Sequence, residues 1–187
     1  VNCLLRAHLN LLMNDTEQKR ILDEWLHTHR GLLFKALRAF AFSAHDQDDL
    51  FQEIAFQLWQ SIPNFKGDSS VSTWVYRVAL YSAIRWSQKE QRHNDKHEGL
   101  DVSSHIPRNQ PSDDDPRVAW LYQQIGQLAP IDRSLILLQL EGLSYREMSE
   151  ALGISESNVG VKINRIKNKM SQQSTVDPSK RRQKNEI

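Results

Sequence analysis

The chain has 187 residues with 24 Lys and Arg against 23 Asp and Glu, so the net charge of +1 gives no global basic signal for nucleic acid. The single cysteine, Cys3, excludes an internal disulfide and a cysteine-built metal cluster. The seven histidines are scattered, and His27 and His29, two apart, do not share a helix face, so no metal site is expected. No apolar run of about 20 residues and no secretory h-region with a cleavage site occurs, which makes a cytoplasmic chain without a membrane span the expectation.

Charge is nevertheless uneven. From Lys162 onward eight Lys and Arg stand against Asp177 and Glu186, a local +6, whereas from Asp101 to Asp115 only Arg108 opposes four aspartates. A basic end after an acidic middle points to nucleic acid at the end and a solvated linker before it.

Residues 1–14 stand apart as a non-native leader segment, with 1–12 translated ahead of a natural start at Met13; a short membrane-surface or partner-binding helix is the alternative. Residues 17–44 are helical in pattern, capped by Asp15 or Thr16, with Ile21, Leu22, Trp25, Leu26, Leu32, Leu33, Leu37 and Phe40 at 3/4 spacing. Gly31 is the expected break. Asp46 opens the next helix, which stops at Pro63. Leu50, Phe51, Ile54, Ala55 and Leu58 are its expected core face. Phe56 and Trp59 lie on another side, beside Gln52 and Glu53. The pattern fits a helix buried on two sides as well as a protein-binding face with aromatic anchors.

Residues 64–70 form a loop in which Gly67 takes an unusual backbone angle and Asp68, Ser69 or Ser70 caps the third helix, residues 71–92. Val75, Val78, Ala79, Ser82 and Trp86 face inward. Trp74, Arg77, Tyr81 and Arg85 form an adjacent stripe of rings and cations. Single-stranded nucleic acid favours such a surface, with rings stacking on bases and guanidinium groups meeting phosphates. An amphipathic core helix with solvated arginines has the same pattern.

Residues 93–115 have the composition of a flexible linker and hold the domain boundary. Beyond it, one helix carries Val118, Leu121, Ile125 and Leu128. A second, with Pro130 in its first turn, carries Ile131, Leu135, Ile136, Leu138 and Leu140 and ends at Gly142. Ser144 and Glu147 make a capping box. Met148, Ala151 and Leu152 stripe a short helix that ends at Gly153, and Ser155 caps the last helix. There Val159, Ile163, Ile166 and Met170 turn inward, leaving Ser157, Asn158, Val161, Lys162, Asn164, Arg165, Lys167 and Lys169 largely outward. This is a helix-turn-helix pattern, whose second helix enters a DNA major groove. The tail from Ser174 reads as disordered. No segment alternates with period two, so the fold class is all-α: two small helical domains on a flexible linker, the second with a helix-turn-helix. No phosphate loop, nucleophile elbow or metal-site motif is found, and neither an enzyme nor a cofactor is expected.

Three stretches together resemble the extracytoplasmic-function sigma factors of the sigma-70 family. DDLFQEIAFQLWQSIPNFKGD resembles region 2, STWVYRVA its T-W-[LI]-Y-R-[IV]-A signature, and LAPIDRSLILLQLEGLSYREMSEALGISESNVGVKINRIKNKM region 4. The resemblance implies region 2 over 15–95, a linker over 96–115, region 4 over 116–173 and a basic tail over 174–187. It implies core RNA polymerase as partner, through the β′ coiled coil and the β flap, with promoter DNA and an anti-sigma factor. Asp49, Gln52, Glu53, Phe56 and Trp59 would dock on the polymerase. Phe65, Lys66, Asp68, Ser69, Trp74, Arg77, Tyr81 and Arg85 would read the −10 element as a separated strand. Ser155, Ser157, Asn158, Val161, Lys162 and Arg165 would read the −35 duplex. Competing readings are a mimic that sequesters an anti-sigma protein and a helix-turn-helix repressor. Two departures stand out. Tyr81 occupies a position where the family commonly has Asn, and Asn158-Val159-Gly160-Val161-Lys162 replaces a common Thr-Val-Lys-Ser-Arg run.

Overall fold

A computed structural model describes residues 14–96 and 115–174. The expected leader up to Met13, most of the linker and the tail beyond Ser174 lie outside the described residues. Every element among the described residues is helical. Helix α1 spans Asp15–Thr28, α2 Arg30–Phe40, α3 Ala44–Ser61 and α4 Val71–Lys96. In the second half α5 spans Pro116–Gly126, α6 Pro130–Leu140, α7 Tyr145–Leu152 and α8 Glu156–Ser174.

The caps are set by short polar side chains, in places one or two residues from where the pattern suggested. Asn14, not Asp15 or Thr16, caps α1, its side chain accepting from the Thr16 amide at 3.3 Å. Ser43 Oγ accepts from the Asp46 amide at 3.0 Å, so α3 begins at Ala44 and Asp46 falls in its positive first turn. The first long helical pattern breaks at His29 rather than Gly31. His29 leaves helical geometry (φ −103°, ψ 15°) and is buried edge-on against Tyr76, while Gly31 stays inside α2. Pro63 sits in a short 3₁₀ turn, Ile62–Asn64, that ends α3. Gly67 takes φ 77°, turning the chain so that Ser70 Oγ accepts from the Thr73 amide at 3.1 Å and starts α4. That helix continues four residues beyond the expected end at Arg92.

In the first half, Leu50, Ile54 and Leu58 of α3 meet Leu32, Leu33 and Phe40 of α2 and Val75, Ala79, Leu80 and Ala83 of α4, all buried. Each fully buried Leu, Ile or Phe contributes roughly 1.5–3 kcal/mol of transfer free energy. In the second half, Leu135 and Leu138 of α6 close on Met148 and Leu152 of α7 and on Val159, Ile163 and Ile166 of α8. Two expected core residues are outside it. Phe51 is 40% exposed because the Leu50–Ile54–Leu58 stripe alone faces inward, and Leu140 is 46% exposed because α6 ends there.

The two halves pack on each other and their apolar residues form one continuous cluster. Helix α2 lies against α5 and α6, and α4 against α7. Polar contacts line this junction. Lys35 pairs with Glu141, Arg38 lies 4.0 Å from the centre of the Tyr122 ring, and Arg133 donates to the Ala39 carbonyl at 3.3 Å.

Candidate nucleic-acid and partner interfaces

Burying Leu50, Ile54 and Leu58 forces the opposite side of α3 into solvent. Asp49, Gln52, Glu53 and Phe56 are exposed there and Trp59 is half-buried. Their spacing puts them on one stripe. Glu53 accepts from Gln57 Nε2 at 3.0 Å, and Phe56 leaves 54% of its surface in water. Phe51 adds a second exposed ring to the helix, which the reading of it as core had missed; only its place just off the inward stripe could have signalled it.

The 65–70 loop is tied down by rings. Phe65 packs edge-on to Trp25 and tilted against Trp74, with centroids 5.6 Å apart in both pairs. The Trp74 indole N–H donates to Ser61 Oγ at 3.0 Å. Phe65 and Trp74 are therefore half-buried anchors of the loop, Ser69 is half-buried, and Lys66, Asp68 and Arg85 are exposed. Arg77 and Tyr81 turn to the other half of the molecule: Arg77 donates to the Glu150 carbonyl and the Tyr81 hydroxyl to the Leu152 carbonyl at 2.7 Å.

The helix-turn-helix forms as its capping chemistry dictates. The Ser144 amide donates to Glu147 Oε2 at 2.8 Å and the Glu147 amide to Ser144 Oγ at 3.3 Å. The bonds from Ser144 hold the Glu147 carboxyl below the usual carboxylate range. Gly153 takes the left-handed conformation, φ 63° and ψ 30°, that turns α7 into α8. Ser155 Oγ accepts from the Asn158 amide at 3.3 Å. With Val159, Ile163 and Ile166 buried, Ser155, Ser157, Asn158, Val161 and Arg165 are all exposed, Val161 at 69%. Lys162 differs. Its ammonium sits 2.8 Å from Asp132 Oδ1, leaving 22% of the side chain accessible, and Arg165 reaches Asp132 Oδ2 at 3.1 Å while staying 68% exposed. Asp132, the ion-pair partner of both cations, is the residue that sequence reasoning passed over. A lone carboxylate opening an otherwise apolar helix, upstream of a basic helix, was the available signal. At Gly160 an added Cβ would touch the Tyr145 ring at 3.4 Å, so that ring lies directly over the α8 backbone.

Among the described residues no group of three His, Cys, Asp or Glu is placed to hold a metal ion, and no helix is long and apolar enough to cross a membrane. A helix-turn-helix with a solvent-facing second helix, joined to a bundle with an exposed acidic and aromatic stripe, has the form of a two-part, all-α DNA-binding protein. The family models for Sigma-70 region 2 and Sigma-70, region 4 match residues 25–93 and 119–170, well over half of the chain. The chain belongs to the sigma-70 family as an extracytoplasmic-function sigma factor, the subunit that binds core RNA polymerase and directs it to promoters. It is 29% identical over 124 residues to the RNA polymerase sigma factor YlaC of Bacillus subtilis, covering 64% of this chain and 72% of that protein. To the ECF RNA polymerase sigma-E factor of Haemophilus influenzae it is 27% identical over 139 residues, covering 67% and 72%. Its fold is similar to that of RpoE from Bartonella quintana, solved in complex with the anti-sigma factor NepR, with TM-score 0.68, 18% identity, and 85% and 99% of the two chains covered.

Proposed function

We propose that this sigma factor divides promoter recognition among three surfaces. Asp49, Gln52, Glu53, Phe56 and Trp59 on α3 dock on the β′ coiled coil of core polymerase, and the 116–173 domain sits near the β flap. The 65–70 loop, with Lys66, Asp68 and Ser69, and the stripe Trp74, Arg77, Tyr81 and Arg85 on α4 take the −10 element as a separated strand, which is how the factor assists melting. Ser155, Ser157, Asn158, Val161, Lys162 and Arg165 meet the −35 duplex. Two readers on one linker, residues 96–115, gain avidity when both sites are correctly spaced. The chain works in the cytoplasm, is no catalyst itself, and is held in check by an anti-sigma factor.

One observation carries this reading: the outer side of α3 combines two carboxylates, an amide and an exposed Phe56 on a single stripe opposite a fully buried core face. Exposed aromatic anchors amid polar groups are the usual energetic centre of an interface. Phe56→Ala and Glu53→Ala should each weaken binding to core polymerase by about tenfold or more. Thermal stability should stay close to that of the parent, since both side chains are exposed. Parent-like affinity in a core-polymerase pull-down, with run-off transcription intact, would remove α3 from the docking surface.

A further inference from the structure

Asp132 stands in the first turn of α6, where the helix dipole favours a carboxylate, and only 10% of its side chain is accessible. Its two oxygens serve two cations that lie one turn apart on α8. Oδ1 accepts from the Lys162 ammonium at 2.8 Å and Oδ2 from Arg165 Nη2 at 3.1 Å. The two cations differ in what they have left for DNA. An ammonium is a compact point charge, and that of Lys162 is mostly covered in this pair. A guanidinium carries five donors in a planar fork, and Arg165 stays largely in water while one nitrogen is held.

Lys162 reaches a phosphate only by leaving Asp132, and stripping the partner from a largely buried carboxylate is costly. Arg165 reaches DNA without letting go. We propose that Asp132 is a specificity-determining residue of the duplex reader: it withholds Lys162 from the phosphates of DNA at large and pins Arg165 with donors to spare. The inference rests on the −35 reading of α8 given above. Phosphate contacts carry no sequence information and supply most non-specific binding, whereas contacts to base edges discriminate. A carboxylate that removes one phosphate contact and orients one guanidinium therefore lowers affinity for arbitrary duplex more than it lowers affinity for the promoter.

The full-length chain is titrated by anisotropy with a labelled random-sequence duplex over a series of salt concentrations. Asp132→Asn keeps the shape of the side chain and removes its charge. It should tighten binding at low salt and steepen the slope of log affinity against log salt by about one, so that a fourfold rise in salt costs about threefold more affinity than in the parent. Asp132→Glu, which keeps the charge, should stay close to the parent. Adding Lys162→Ala to Asp132→Asn should return the slope to the parent value, which a merely structural role for Asp132 would not produce; a slope that stays steep overturns the proposal. With core polymerase added, the Asp132→Asn holoenzyme should retain promoter fragments from sheared genomic DNA with a smaller excess over bulk, and an unchanged excess overturns the role in specificity. An unchanged slope or weaker duplex binding in Asp132→Asn, with Arg165→Ala still weakening that binding, overturns the restraint and leaves the −35 reading standing. If the urea midpoint shows that Asp132→Asn folds poorly, Lys162→Ala alone decides: its slope stays near the parent value when Lys162 is withheld, and a fall of about one overturns the proposal. Arg165→Ala without effect on duplex binding removes the −35 reading, and the proposal falls with it.

Discussion

Helices α4 and α8 are both DNA readers in the proposed division, and the fold treats them in opposite ways. In α8 the inward residues Val159, Ile163 and Ile166 are buried, and the first two turns present Ser157, Asn158 and Val161 to solvent. Helix α4 is packed from several sides, by α2, α3 and α7. Of its stripe, Trp74 is wedged in the loop cluster, Arg77 and Tyr81 donate to α7 with Tyr81 still 37% exposed, and Arg85 is exposed. The lesson is that a duplex reader can be preformed because a groove accepts an intact helix face. The proposed strand reader is less free: two of its donors, Arg77 and Tyr81, already bond carbonyls of α7.

The largest expected effect separates the two sides of α8. Ile163→Ala empties a fully buried position and should cost about 2–4 kcal/mol of stability, read as a lowered denaturation midpoint. Val161→Ala, two residues away and 69% exposed, should stay within about 0.5 kcal/mol of the parent and change only duplex affinity. If Val161→Ala proves as destabilising as Ile163→Ala, α8 does not present a preformed reading face.

A smaller effect separates two cations on that helix. Arg165 is largely exposed, so Arg165→Ala should lower the slope of log affinity against log salt by about one on duplex DNA. Lys162 is already matched to Asp132 and mostly covered. Lys162→Ala should change the slope less and instead cost about 1 kcal/mol of stability, because it strips a partner from a largely buried carboxylate. Equal slope changes for the two variants would mean that Lys162 meets phosphate as fully as Arg165 does, in spite of its pairing with Asp132.

These contrasts mark how far sequence could reach. The turn chemistry of the second half was legible residue by residue: Ser144 with Glu147, the left-handed Gly153 and the Ser155 cap are local features whose physics needs no tertiary context. Periodicity also separated Leu50, Ile54 and Leu58 from the outer stripe of α3. It misjudged Phe51 and Leu140, where a residue just off the stripe or at a helix end is decided by packing that a period cannot encode. The break at His29 was hidden for the same reason. Glycine is the local cue, but the burial of His29 against Tyr76 is a long-range contact. Least legible was the Asp132 pairing, thirty or more residues from its cations, and the reach of Tyr81 to Leu152 across the junction. Side chains such as Lys162, Arg77 and Tyr81 have the chemistry of DNA contacts in any sequence. Only the fold shows that each already has an internal partner.

The smallest effect tests the packed side of α4 by pH. His29 is 7% exposed and lies edge-on to Tyr76 of α4. Burial pushes its pKa below the ordinary value of 6.5, and the Glu141 carboxylate across the junction pulls it partly back. As pH falls through about 6.5 the unfolded chain takes up this proton before the folded one does, so folding stability declines. The decline stops once pH has passed the lowered folded value. Above 6.5 His29 is neutral in both states and contributes no slope. Urea midpoints at pH 7.5 and pH 5.5 should therefore fall further for the parent than for His29→Gln, which cannot titrate. The two opposing influences on His29 keep the difference modest. An identical decline in both proteins would mean that the His29 side chain is solvated, and that the packing of the α1–α2 corner onto α4 is looser than its geometry requires.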